Sequence, residues 1–275
     1  MKNTFLSALL IGLLCGCGSQ KPEITGSKQV VTVSENISLP FTSVEVDENM
    51  HVELRKGTRN SYVLTTDDNI VPYIDFEVRG GTLVISNTHH IKKKKELEVI
   101  LTVSKLNGLI LRKESTLETR SQFLMDSLSL QTYDDSHFEM DIDIPYLTIN
   151  MHDKSSGEIE GRSDQLFINM TDRSDLELEH VCDVLDIRLN EKAELELEGR
   201  GNEATITATD RTQLKGRDCE IDNAKVTLTG KAEVALEVSD NFTLNAKDKA
   251  MMHLYGSPKV DVESLADSAQ IEKKD

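Results

Sequence analysis

Tryptophan is absent from this 275-residue chain, and aromatic residues make up only 4% of it. Ligand clefts are commonly lined by aromatic side chains, so the composition argues against a sugar-processing cleft. Positive charge is also short. Thirty-one Lys and Arg face 48 Asp and Glu, which leaves a net charge of −17. Such a field repels phosphate backbones and excludes nucleic acid as a partner. No HExxH, no GxSxG and no Gly-rich phosphate loop occurs, so the chemistries those motifs carry have no seat. Only two cysteines, Cys182 and Cys219, lie beyond residue 17. No Cys or His pair has metal-ligand spacing. The adjacent His89 and His90 lack further ligands and read as solvated loop residues. No cofactor is expected, apart from weakly held calcium on the acidic face described below.

Long hydrophobic runs are missing too. The apolar stretch from Phe5 to Leu14 is too short to span a bilayer comfortably. It has another use. Met1-Lys2 before it and Leu14-Cys15-Gly16-Cys17 after it describe a bacterial secretion signal over 1–16, cleaved before Cys17. The last four residues resemble a lipobox, so Cys17 is the expected lipidation site. Acyl chains there make the membrane a partner and place the protein in the cell envelope. It reads as an outer-membrane lipoprotein on the periplasmic or the surface side. Residues 17–39 then read as a lipidated tether, 40–105 as an N-terminal strand-rich module, 106–272 as β-helix repeats, and 273–275 as a polar tail.

What the chain has in abundance is periodicity. Alternating aliphatic residues recur as Leu128/Leu130, Leu147/Ile149/Met151, Leu166/Ile168/Met170, Leu185/Ile187/Leu189 and Ala204/Ile206/Ala208, a step of 19. They continue less regularly through Ala224, Phe242 and Val260/Val262. A second alternating set follows each first one, as in Phe138/Met140, Leu176/Leu178 and Leu195/Leu197. Spacing of two puts each set on one face of a strand. A strand repeat of this length predicts a solenoid: an all-β, single-stranded parallel β-helix with coils of about 19 residues. Cys182 and Cys219 then sit nearly two coils apart, roughly 10 Å. That exceeds the roughly 7 Å a disulfide tolerates, so no bridge is expected.

Between the two strands of each coil lies a turn, for example Asp153-Lys154-Ser155, Asp172-Arg173-Ser174 and Asp248-Lys249-Ala250. Asp nucleates turns through its own nearby backbone. The adjoining cations offset the stacked carboxylates and compete with calcium, so this ladder reads as structural. Ahead of the repeats, Val44/Val46, Val52/Leu54, Leu83/Ile85 and Leu97/Val99/Leu101 alternate but fall out of step with the later ladder. Asp67-Asp68-Asn69 is placed to cap a short helix over 70–74. Lys92–Lys95 reads as a solvated hairpin tip.

Two stretches here resemble a known family. They are Phe41 to Val46 running through Val52 to Gly57, and Asp68 to Ile74 running through Glu77 to Ile85. Together they look like the opening of the putative auto-transporter adhesin, head GIN domain family. The resemblance extends over roughly residues 40–270. It implies a right-handed β-helix, related in shape to pectin lyases but without their catalytic residues, and a role in adhesion. The turns depart from the family's Gly-Ser-Gly types, and no family residue of known function maps onto this chain.

Two outward faces are candidate sites. On the second strand, Glu139/Asp141, Glu158/Glu160, Glu177/Glu179 and Glu196/Glu198 form two carboxylate columns. Like charges opposed across strands destabilise a sheet, so the face is either solvated or a weak surface for calcium or a polycation. On the first strand, the outward residues include Thr148/Asn150, Phe167/Asn169, Asp186/Arg188 and Thr205/Thr207, and their flat Thr/Asn ladder suits a protein or glycan ligand, or simply an exposed strand. The leading reading is a non-enzymatic envelope lipoprotein that adheres or scaffolds through these repetitive faces. The alternatives are a polysaccharide lyase or hydrolase, and a signalling module docking a periplasmic partner. Glycosidic cleavage needs an isolated carboxylate pair or a metal with a base. The carboxylates here repeat evenly instead.

Overall fold

The aliphatic ladder folds as vertical files. In the computed structural model, which describes residues 21–275, Leu128 lies opposite Leu147, Leu147 opposite Leu166, and Leu166 opposite Leu185. The file continues through Ala204, Ala224, Phe242 and Val260. All these pairings are parallel, and they build a β-solenoid of about nine turns. The signal segment 1–16 and the lipidation site Cys17 lie outside the described residues.

Strand and return are not separate in the middle coils. Ser156–Met170, Asp175–Leu189 and Glu194–Ala208 are each one strand. Each runs from the second face of one coil through the bend into the first face of the next. Inward side chains are buried from Val44 to Leu254. At about 1.5–3 kcal/mol for each large apolar side chain, four or five per coil cannot offset that coil's ordering entropy. Stability therefore comes from each coil resting on its neighbours.

The stacking explains a glycine that breaks the apolar file. Gly157 lies opposite Phe138 and Leu176. A Cβ on it would stand 2.2 Å from Phe138 Cζ, so the Phe138 ring fills the space of two coils.

The turn ladder is structural, by a route different from the one expected. The turn aspartates are left-handed, with φ of 60° at Asp134 and Asp153 and 63° at Asp172. Asp is among the few residues that tolerate this conformation. Gly230 takes the same place in one coil, at φ 72°. Rather than bonding the backbone of their own turns, several of these carboxylates reach back one coil, although Asp172 and Asp210 also accept from the adjoining Thr171 and Thr209 hydroxyls at 2.8 and 3.1 Å. Asp153 accepts the Asp134 N–H at 3.1 Å, Asp172 accepts the Asp153 N–H at 3.2 Å, and Asp248 accepts the Gly230 N–H at 3.0 Å. The small third residues of the turns, such as Ser155, Ser174 and Ala193, are fully buried.

The N-terminal segment corrects the sequence reading in four ways. First, its strands are in step with the ladder: Val44 pairs with Leu109, which pairs with Leu130. The winding order hid this. Thr82–Asn87 stacks below Ser43–Val46, while Gly108–Leu111 stacks above it. The chain lays its second coil beneath the first and then jumps over both. Second, from residue 21 onward the expected tether is built into the end of the solenoid. Val30–Asn36 pairs along its whole length with Ser61–Asp67, which in turn pairs with Leu97–Val103. Third, Asp67, Asp68 and Asn69 cap no helix. A 3-10 turn, Val71–Tyr73, follows without a side-chain cap. Asp67 instead accepts the Lys95 N–H at 2.9 Å, Asp68 accepts from Ser27 Oγ, and Asn69 Nδ2 donates to Thr25 O at 2.9 Å. Fourth, Lys92 and Lys93 are not a hairpin tip. His90–Lys93 pairs in parallel with Glu23–Thr25. Tyr62 and Phe76 stack at 3.6 Å beneath the lowest coil.

At the far end, Val260 and Val262 keep the register but are 46% and 42% exposed. No strand among the described residues lies beyond them.

Candidate functional site

The two carboxylate columns form as the spacing predicts. Glu139, Glu158, Glu177 and Glu196 are paired in succession, and so are Asp141, Glu160, Glu179 and Glu198. Neighbours in a column are one strand spacing apart, about 4.8 Å. The columns flank a shallow trough of about 370 Å³ whose lining also includes Thr119. Lys215 follows Glu196 in register and pairs with it at 3.3 Å. His137 lies 3.4 Å from Glu139. Between these ends, Glu158 and Glu177 have no cation within 4.0 Å among the described residues.

The face is larger than the sequence pattern shows. Asp175 and Glu194 stand in register beside Glu177 and Glu196, and their alternation was the signal that could have identified them. In the other direction the first column continues through Glu118 to Glu53. There the charge is compensated. Arg120 lies 3.0 Å from Glu118 and 3.3 Å from Glu53, and Arg55 bonds Glu53 directly. The Arg55 hydrogen bond holds the buried Glu53 carboxyl below the usual range, against the opposing effect of burial. Along this column the uncompensated charge is therefore confined to the middle coils. Among the described residues, no three His, Cys, Asp or Glu side chains converge in a geometry that could hold a metal ion.

The first-strand face is less uniform than its composition suggests. Thr148 meets Phe167, and Asn150 meets Asn169. Asp186 and Arg188 then separate them from Thr205 and Thr207. Arg188 lies 3.3 Å from Asp186 and covers the Phe167 ring at 5.1 Å. The flat ladder is thus cut by an ion pair that occupies its one aromatic.

Cys182 and Cys219 are free, at 6% and 1% exposure. Gly201 lies between the Cys182 and Ile221 positions, and Gly199 between those of His180 and Cys219. Burial pushes the two thiols up to about 11 and about 12. Burial likewise lowers His180 to about 4. His180 Nε2 shares a 2.9 Å hydrogen bond with Ser163 Oγ. These groups are inert core members rather than reactive ones. His89 packs against Tyr73 at 3.9 Å, and His90 sits in the parallel pair with Glu23.

The sequence pattern described as putative auto-transporter adhesin, head GIN domain, matches residues 40–179 and 154–258. No curated protein matches the chain significantly. Among solved structures, a putative adhesin from Parabacteroides merdae is similar at 15% identity, with a TM-score of 0.69 over 92% of this chain and 100% of that one. A putative adhesin from Parabacteroides distasonis gives 13% identity and a TM-score of 0.71 over the same shares. A putative lipid binding protein from Parabacteroides distasonis gives 16% and 0.63, again over 92% and 100%. At these identities the likeness is one of fold.

Proposed function

This chain belongs to the putative auto-transporter adhesin, head GIN domain family, and from that premise we propose that it is a non-enzymatic binding lipoprotein of the cell envelope. Its anchor is an acylated Cys17, its address the outer membrane, and its binding surface the acidic trough. One observation carries the choice of surface: eight carboxylates in four adjacent coils, in register, with Lys215 the one Lys or Arg that pairs with the row among the described residues. A rigid row at strand spacing, uncompensated, suits cationic ligands of matching repeat. These are weakly held calcium ions or a basic segment of a partner. The Thr148/Asn150/Phe167/Asn169 patch remains a secondary candidate for a protein or glycan, reduced by the Arg188 cover.

Calcium tests the trough directly, because ligand bound only to the native state raises its stability. For a dissociation constant near 1 mM, typical of weak extracellular sites, 10 mM calcium contributes about 1.4 kcal/mol. The melting midpoint should rise by about 3–6 °C. Sodium chloride at matched ionic strength should do less, and Glu158→Gln/Glu177→Gln should abolish the difference. Equal shifts with sodium would reduce the trough to a solvated face. For a basic partner, the same variant should lose retention on immobilised polylysine at low salt. Surface labelling of intact cells reads the side of the membrane.

A further inference from the structure

Lys92–Lys95 is a run of four positive charges in a chain of net charge −17. The fold sets it beside the point where the described chain starts. Glu23 lies opposite His90, and Thr25 opposite Lys93. Lys21 Nζ donates to Asn87 O at 2.6 Å and pairs with Glu48 at 2.9 Å. These contacts fasten the first described residue to a groove of about 400 Å³ whose walls include Asn87, His90, Lys93 and Lys94. Lys92 is taken by Glu23 at 2.5 Å, and Lys113 by Asp47 and Glu48 at 3.1 and 2.8 Å. Lys93, Lys94 and Lys95 are exposed and have no carboxylate within 4.0 Å among the described residues.

Cys17 precedes Lys21 by four residues, a chain length that reaches at most about 14 Å. A lipid on Cys17 therefore keeps this groove within that distance of the headgroups. A single acyl signal holds weakly and gains from a neighbouring polybasic patch. The charge is also segregated along the solenoid. The lysines sit at the capped end, while the carboxylate columns of the trough begin two rungs beyond His51–Lys56. An anionic surface would attract the first and repel the second.

We propose that Lys93, Lys94 and Lys95 are a second membrane contact, which docks the capped end of the solenoid on anionic lipid headgroups and turns the acidic trough away from the bilayer. The placement rests on acylation of Cys17; the preference for anionic lipid does not. The test uses the soluble Cys17→Ser chain, floated with vesicles of phosphatidylethanolamine and phosphatidylglycerol at 1:1, or of phosphatidylcholine alone, in 50 and 300 mM salt. Binding should require the anionic lipid and weaken at high salt. It should fall roughly a hundredfold in Lys93→Gln/Lys94→Gln/Lys95→Gln, whose melting midpoint should match its parent because the three side chains are exposed. Equal recovery on both vesicles, no recovery on either, or an unchanged triple variant overturns the contact. Capture by beads carrying an acidic polysaccharide, with none by vesicles, also overturns it and reassigns the patch to an anionic glycan. Palmitate labelling of the wild type against Cys17→Ser reads the anchor separately. Loss of that result with the vesicle result intact removes the anchor alone.

Discussion

Gly157→Ala places one methyl group where the ring from the coil below already stands. The new carbon would lie 2.2 Å from Phe138 Cζ, whereas carbon atoms rest comfortably at about 3.5–4.0 Å. The ring must retreat by about 1.5 Å, yet Phe138 is fully buried among other core side chains. Overpacking of this kind costs about 1–3 kcal/mol. Alanine in a strand recovers about 0.5–1 kcal/mol of the backbone entropy that glycine loses, so the net loss should be about 1–2 kcal/mol. Phe138→Leu alone removes buried carbon and leaves a void, at about 1–2 kcal/mol. Combined, the methyl fills the void that the leucine leaves. The double variant should be more stable than the sum of the singles by about 1–2 kcal/mol, a coupling large enough to measure. Thermal melting reads it directly, at about 2–4 °C per kcal/mol. Losses that simply add, within about 0.5 kcal/mol, would mean that the two residues do not face each other across adjacent coils. The stacked faces and the trough would go with that result.

Asp172→Ala should cost about 1–2 kcal/mol in a melting experiment, because it loses both the left-handed tolerance and the bond to the Asp153 N–H; Asp172→Asn should cost less. The Thr171 and Asp153 hydrogen bonds lower the Asp172 carboxyl below its ordinary value. Its contribution is therefore full above the unfolded value of about 3.9 and is lost as pH falls through the lowered folded one. Asp172→Ala should accordingly flatten that part of the acid melting profile. Cys182 and Cys219, with thiols raised to about 11 and about 12, should resist a disulfide-exchange reagent at pH 8 and react only in urea; rapid native labelling would contradict their burial. The lowered His180, at about 4, favours the fold above the unfolded value of about 6.5 and loses that favour as pH falls from there toward 4. Replacing it with Gln should remove the stability slope in that window, and an unchanged slope would place the titrating group elsewhere.

The carboxylate columns were legible because each depends only on position within a fixed period. Glu139, Glu158, Glu177 and Glu196 are 19 residues apart, and parallel in-register stacking converts that interval into contact. The same rule would have found Asp175 and Glu194. It could not show that Arg188 lies over Phe167, because that depends on the direction of a long side chain between coils. Nor could it show that the turn carboxylates bond the coil below rather than their own backbone. The two geometries share one sequence signature.

Alternation of two and a return of nineteen were enough, by themselves, to determine a parallel solenoid, its buried files and its charged face, since burial repeats wherever the coil repeats. The order of coils at the N-terminal end was decided only by tertiary structure. Ser43–Val46 lies between Thr82–Asn87 and Gly108–Leu111, although both partners come later in the chain. Either side of a lone strand offers the same hydrogen bonds. The choice follows from the closing layer beneath, where Tyr62 meets Phe76 and Asp67 holds Lys95, and no local periodicity encodes those contacts.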